Sequence, residues 1–149
     1  YALTTIDLKV NGDITVSPDD SNFDVNFTDA KITTTGTLTG KTDTADKGNG
    51  KTATLSVKTL KTVGEKVVAE YTITNNSKAG INATLTNPTA TQTDDAAKDY
   101  YKVTAELADN NAIAPNGTKK LTVTVELVKA PLEEVTGAFE VTFNASATK

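Results

Sequence analysis

The chain has 149 residues and a formal net charge of −4, and it contains no cysteine, histidine, methionine or tryptophan. This composition excludes disulfides, thiol nucleophiles and histidine metal ligands, so we expect no cofactor and no metal centre. The acidity and the absence of arginine argue against nucleic acid as a partner, and no apolar run is long enough to span a bilayer. Threonine supplies roughly a fifth of the residues, which favours solvent-facing positions of strands.

The first segment of the chain alternates between apolar and polar residues over positions 2–16. Seven residues at even-numbered positions make up the apolar face: Ala2, Ile6, Leu8, Val10, Gly12, Ile14 and Val16. A two-residue hairpin at Asn11-Gly12 would divide this apolar face between core and solvent, and a three-residue loop would place the glycine in a less usual slot. One continuous strand keeps every apolar side chain on one side, and we favour that interpretation.

This alternating segment has two possible roles. It is either the first strand of its own sandwich or a donor strand that completes a sheet in the next subunit. The chain opens at Tyr1 without any methionine, which predicts removal of a signal peptide and a secreted or cell-surface protein. We therefore divide the chain into an N-terminal arm, residues 1–16, and a β-sandwich domain, residues 17–149. We expect the arm to pack against a different copy of the chain.

Alternation with a period of two continues along the rest of the sequence and is typical of strands with one buried face. A phase slip near Asp29 indicates a bulge, which would let one long strand serve both sheets. The predicted strands contain Phe23–Ile32, Leu55–Val57, Val67–Ile73, Ile81–Leu85, Val103–Leu107, Leu121–Leu127 and Phe139–Ala145.

The connecting segments contain turn residues. Lys41–Lys51 is rich in glycine and charge and predicts an exposed, mobile loop. Thr93–Tyr100 predicts a helical turn capped by Thr93 or Asp94. Strands at this spacing, about seven to nine of them, predict an all-β fold. We expect a two-sheet antiparallel sandwich, jelly-roll-like, with an extended N-terminal strand.

Residues that could carry chemistry are few, and no catalytic motif occurs, so we do not expect an enzyme. Tyr100-Tyr101 predicts the start of a strand with one ring buried, in preference to a sugar-stacking platform. Two acidic clusters are solvated turns in the simpler interpretation and calcium sites in the alternative: Asp19, Asp20 and Asp24, and Asp94, Asp95 and Asp99. Glycan acceptor sequons, whose use depends on the host, occur at Asn26, Asn75, Asn82, Asn116 and Asn144.

A family resemblance is carried by segments spread over most of the chain. They are Val63–Asn76 (VGEKVVAEYTITNN), the segment from Leu85, Pro115-Asn116-Gly117 leading into Leu121–Leu127 (LTVTVEL), Thr136–Ala145 (TGAFEVTFNA), and the start, Tyr1–Thr4 with Phe23–Ala30 (FDVNFTDA). Through these low-complexity β patterns the chain resembles the TasA/camelysin family of Gram-positive surface and biofilm-matrix fibre proteins. Some members carry a metallopeptidase label, but no histidine or zinc motif here matches it.

The resemblance implies a secreted jelly-roll subunit and fibres in which each N-terminal strand fills the next subunit. The expected function is therefore a structural subunit of an extracellular, pilus-like filament that supports biofilm matrix or surface adhesion. Its expected partners are copies of itself, head to tail, with other matrix or surface components as further candidates. The alternative is a monomeric cell-surface adhesin or carbohydrate-binding β-sandwich.

Overall fold

A computed structural model of the chain describes residues 8–18, 22–78 and 80–148. These residues form eleven strands and no helix. The strands are β1 (Leu8–Pro18), β2 (Val25–Thr34), β3 (Thr44–Asp46), β4 (Thr52–Val57), β5 (Lys66–Asn75), β6 (Asn82–Leu85), β7 (Thr89–Gln92), β8 (Tyr101–Leu107), β9 (Ala112–Ile113), β10 (Thr118–Leu127) and β11 (Val135–Thr148). The predicted all-β class is confirmed, and each alternating segment corresponds to a strand.

Two packed sheets form the sandwich, as predicted. The larger sheet has seven strands in the order β3-β4-β1-β11-β6-β9, with β7 also paired to β11, and the smaller sheet has the order β2-β5-β10-β8. Among the described strands, pairing is antiparallel except between β1 and β11, which run parallel over residues 8–18 and 135–145. The first and last of the described strands are therefore neighbours inside the larger sheet.

The core lies between the sheets and is built from the alternating apolar residues. In β5 and β10 every second residue from Val67 to Ile73 and from Leu121 to Leu127 is buried, and full burial of each Val, Leu or Ile side chain among them contributes about 1.5–3 kcal/mol. Tyr71 joins the two sheets, because its Oη donates a 2.7 Å hydrogen bond to the Thr54 carbonyl in β4. Burial raises the pKa of the Tyr71 phenol strongly, so the phenol stays a donor.

The predicted loop at Lys41–Lys51 is partly a strand, because β3 lies inside it and pairs with β4. Asp43 stabilises this segment: its buried Oδ1 accepts hydrogen bonds from the backbone N–H groups of Lys58 and Thr59 at 2.6 and 3.1 Å. Short strands such as β3, β7 and β9 carry too few residues to show alternation in the sequence, which is why they were missed.

The predicted bulge in β2 is confirmed, because the register with β5 shifts between Phe27 and Asp29. The idea that this strand serves both sheets is wrong, since β2 pairs with β5 alone and belongs to the smaller sheet. A bulge tightens the local twist of a strand without moving it to another sheet.

Candidate functional site

The central feature of the larger sheet is the place that β1 occupies between β4 and β11. We call this place, with its two flanking strand edges, the β1 slot. Val10 to Thr15 pair antiparallel with Val57 to Thr52 of β4, while Leu8 to Pro18 pair parallel with Val135 to Ala145 of β11. Both backbone edges of β1 are therefore used from Val10 to Thr15. A strand in this position holds the two sides of the sheet together.

The two faces of β1 have opposite character, as the alternation predicts. The inward residues Val10, Ile14 and Val16 are at most 1% exposed. On the outer face Asn11, Asp13 and Ser17 are exposed and Thr15 is half-buried. The strand is continuous through Gly12, so the predicted single strand is confirmed for residues 8–18 and both hairpin alternatives are wrong.

Gly12 and Phe139 interlock and fix the register of β1 in the slot. The two residues are direct partners across the parallel pair. A Cβ at residue 12 would lie 2.1 Å from Phe139 Cζ and within 2.5 Å of two further ring atoms, so the phenyl ring covers the glycine. Glycine inside a strand often marks such a close approach. Slipping β1 by one residue would replace the glycine by Asn11 or Asp13 and also turn the apolar face outward.

A second aromatic ring, that of Tyr101, covers a second glycine, Gly137. Gly137 of β11 is the partner of Val10, and a Cβ there would lie 2.6 Å from Tyr101 Cε1. The Tyr101 Oη donates a 2.9 Å hydrogen bond to the Ala138 carbonyl. Burial, with a smaller effect of Asp94, raises the pKa of Tyr101 to about 12. The Tyr101 ring thus packs against the part of β11 that pairs with β1.

The chain is anchored to the body again at Asp24, just before β2. The Asp24 N–H donates to Ser77 Oγ at 2.8 Å, and its carbonyl accepts from the Asn76 N–H at 2.7 Å. Hydrogen bonds to the carboxylate from Asn26 and from Lys51 lower the pKa of Asp24. These bonds tie Asp24 to the rest of the sandwich, so the segment that connects β1 to it ends at Asp24.

The predicted donor-strand residues fall as follows. Ala2 and Ile6 lie outside the described residues, and Leu8 is placed by its backbone in β1. Val10, Gly12, Ile14 and Val16 lie together on the buried face of the strand. Within one chain, the arm from residue 8 and the domain from residue 17 form one sheet. Packing of the arm against a different copy stays a prediction.

Asp94 and Tyr101 take part in local structure. Asp94 Oδ1 accepts from the Ala96 N–H at 2.9 Å, which caps a turn over residues 95–100 in place of the predicted helical turn. Asp19 and Asp20 lie outside the described residues. Among the residues that are described, no group of three or more His, Cys, Asp or Glu could hold a metal ion. Tyr101 is buried at the start of β8, as predicted, and Tyr100 is half-buried.

The sequons differ in accessibility. Asn75 is fully buried, and its Nδ2 donates to the carbonyls of Ile81 and Ile113 at 3.0 and 3.1 Å. A glycan cannot be attached there in the folded protein. Asn116 and Asn144 are exposed, and Asn26 and Asn82 are half-buried.

The two residues whose contact fixes the register of β1, Gly12 and Phe139, were not recognised as partners from the sequence. Alternation places Phe139 on a buried face, and an isolated Gly12 in a strand is a signal of close approach. Neither signal reveals that these two residues are partners, because their strands are far apart in the chain.

Comparisons with known proteins place this chain in no family: no family model matches it, and no curated protein matches its sequence. In the part of the chain that the structure describes, no helix is long and apolar enough to cross a membrane.

Proposed function

We propose that this protein is a structural subunit of an extracellular fibre in which β1 of one copy occupies the β1 slot of the next. The polymer is a head-to-tail homopolymer, and it supports a biofilm matrix or adhesion to a surface. The role is structural and involves no catalysis. The resemblance of the chain to TasA/camelysin proteins, including their location outside the cell, is part of this proposal.

The observation that carries the proposal is the fit between β1 and its slot. The strand contributes a fully buried apolar face, two paired edges, and a glycine that only one register places under Phe139. Strand and slot belong to the same sequence, so the same fit holds between two copies. Exchange of an identical element between copies is a low-cost route to association.

The connectivity favours such an exchange. β1 is the first of the described strands in chain order, and after it the hydrogen bonds of Asp24 hold the chain to the rest of the sandwich. Withdrawal of β1 therefore leaves β2 and the smaller sheet attached as before. It exposes one edge of β4 and one edge of β11, and exposed edges of this length recruit another strand.

Exchange produces an open chain because each copy both gives and receives a strand. A copy whose β1 enters a neighbour keeps an empty slot for the β1 of a third copy. Each inserted strand buries Val10, Ile14 and Val16, at about 1.5–3 kcal/mol apiece before ordering costs, and adds a hydrogen-bond ladder on both sides. A non-covalent fibre of this kind needs no cysteine, and the chain has none.

Negative-stain microscopy of three samples tests the proposal. The full chain should form fibres, and a variant lacking residues 1–18, and with them the whole of β1, should remain as soluble, less stable particles. A synthetic peptide of residues 1–18 added to the truncated variant should restore its thermal stability without fibres, since the peptide fills the slot but brings no slot of its own. Fibres from the truncated variant would refute the donor-strand role. Single particles of the full chain under all conditions would instead favour the monomeric adhesin.

A further inference from the structure

The sheet edges of the described sandwich differ in how they are protected. The edge strands β3, β7 and β9 have three, four and two residues, too few for stable pairing with another chain. β2 is longer but carries register shifts after Phe27 and after Ile32, which distort its edge. Short strands and bulges are the usual protection against edge-to-edge association. β8 has neither, because its seven residues pair with β10 in an uninterrupted register.

The free backbone groups of β8 can be assigned from its pairing with β10. The Ala108 N–H donates to the Lys120 carbonyl, and the Val128 N–H donates to the Tyr100 carbonyl. Antiparallel ladders alternate, so even-numbered residues of β8 use their backbone groups toward β10 and odd-numbered ones point outward. Among the described residues no strand pairs with that outer side, and the neighbouring strand β7 packs against β8 without forming a ladder. Gln92 Nε2 donates to the Tyr101 carbonyl, which leaves Val103, Ala105 and Leu107 as the open edge.

The side chains of β8 are complementary to those of a second, antiparallel copy. Lys102, Thr104 and Glu106 are exposed on its outer face. When two β8 strands pair about a two-fold axis at Thr104, Lys102 of each copy lies opposite Glu106 of the other. In this register Val103 and Ala105 of opposite copies form the hydrogen-bonded pairs, and the charged residues occupy the non-hydrogen-bonded pairs, where side chains are closest. Opposite charges at such positions stabilise a sheet.

We propose that β8 is a self-association edge through which two copies of this chain form one continuous sheet. The partner is a second copy because the charge order along β8 is self-complementary only in the antiparallel orientation. Shifting the two-fold axis by one residue would place Lys102 opposite Thr104 and remove both charge pairs. This contact involves the smaller sheet and leaves the β1 slot untouched, so it joins copies sideways and is independent of strand exchange.

A groove of about 290 Å³ lies beside this edge. It is lined by residues from both faces of β8 and by residues of the neighbouring loops, namely Ala105, Glu106, Leu107, Asn87, Pro88, Asp109 and Asn111. Both apolar residues of β8 in this groove are half-buried. Val103 of the second copy, opposite Ala105, would cover this surface. The pairing thus combines a backbone ladder, two ion pairs and an apolar contact.

Sedimentation velocity of the full chain and of charge variants tests the pairing. The unaltered chain should dimerise. Lys102→Glu and Glu106→Lys should each weaken the dimer by about tenfold or more, because each places two pairs of like charges opposite one another. An equimolar mixture of the two variants should form heterodimers, and the doubly exchanged variant should dimerise as the unaltered chain does. A mixture that stays monomeric, or single variants that dimerise normally, would overturn the proposal.

A matched control separates the β8 edge from general charge effects. Lys66→Glu makes the same charge change in the same row of the sheet, since both Lys66 and Lys102 pair with Glu126, but it lies on the inner strand β5. It should leave dimerisation unchanged, and a loss of dimer equal to that caused by Lys102→Glu would contradict the proposed pairing. Ala105→Pro removes a free edge N–H without breaking the ladder to β10, so a folded monomer is expected. Dimers of this variant would also overturn the proposal.

Discussion

The two sheets of this sandwich are assembled in different ways. The smaller sheet consists of antiparallel strands from the interior of the chain, and its central strands β5 and β10 bury every second residue. The larger sheet is assembled around the parallel pair of the first and last strands, β1 and β11. The smaller sheet is therefore complete without β1, whereas the larger sheet divides into two parts. β1 is therefore the strand whose withdrawal would leave every strand of the smaller sheet paired.

The outer faces of the two sheets also differ in which charged side chains are neighbours. On the smaller sheet, Glu70 Oε1 lies 3.4 Å from Lys31 Nζ and 3.5 Å from Lys120 Nζ. On the larger sheet, Asp13 of β1 is the direct partner of Glu140 of β11. Opposite charges are thus close together on one sheet, whereas like charges are register partners at the β1 slot of the other.

The largest expected effect comes from placing a charge on the buried face of β1. Ile14→Asp should lower the free energy of unfolding by several kcal/mol, because Ile14 is fully buried and the carboxylate would have no partner. Urea denaturation measures the loss. The control is Asn11→Asp on the exposed face of the same strand, which should change stability by less than about 0.5 kcal/mol. Equal losses would show that the faces of β1 are assigned wrongly.

A smaller effect is expected from filling the space over Gly12. Gly12→Ala should destabilise the protein by about 1–3 kcal/mol, since its Cβ would overlap the Phe139 ring. Phe139→Leu removes that ring, and in the double variant the penalty of the alanine should largely disappear. A double-mutant cycle by chemical denaturation measures this coupling. Additive losses would mean that the two residues do not control the register.

Ionisation of Tyr101 should weaken the larger sheet at alkaline pH. The folded pKa is raised to about 12 from 10.0, so the stabilisation is fully present below pH 10 and is lost as the pH rises toward 12. The cause is burial of a phenol that donates to the Ala138 carbonyl. The free energy of unfolding, measured by denaturation at several pH values in this range, should fall more steeply with pH for the unaltered chain than for Tyr101→Phe. Identical slopes would exclude this residue as a source of the alkaline loss.

The smallest expected effect concerns the like charges at the slot. Asp13→Asn should stabilise the protein by about 0.2–1 kcal/mol at low salt, because it removes the repulsion between Asp13 and Glu140. The gain should shrink as salt is added, since both groups are on the outer face. Thermal melts at two ionic strengths measure the effect. A loss of stability at low salt would show that other contacts of Asp13 outweigh the repulsion.

The sequence was most informative where one face of a strand is buried over many residues. The alternation of Leu121–Leu127 and of residues 10–16 predicted the buried positions correctly, including continuity through Gly12. It did not predict β7 or β9, which are too short to show a period, and it treated the paired segment β3 as loop.

Pairing between distant strands was beyond the reach of local pattern. The parallel neighbours β1 and β11 are separated by nearly the whole chain, and alternation states which face is buried without stating which strand lies beside it. The covering of Gly12 by Phe139 and the free edge of β8 both depend on that information. Of the candidate site, the strand and its buried residues could therefore be predicted, whereas the slot could not.

The most direct test asks which copy supplies the β1 that fills each slot. Asp13 and Thr54 are partners between β1 and β4, and the hydrogen bond from the Val16 N–H to the Lys51 carbonyl makes theirs a non-hydrogen-bonded pair, with Cα atoms about 4.5 Å apart. A disulfide can form at this distance, and the chain has no other cysteine. Asp13→Cys and Thr54→Cys are combined in one chain, which is assembled, oxidised and run on a denaturing gel without reductant. Strand exchange predicts a ladder of covalent oligomers that collapses on reduction, and a single band of internally linked monomer would contradict it.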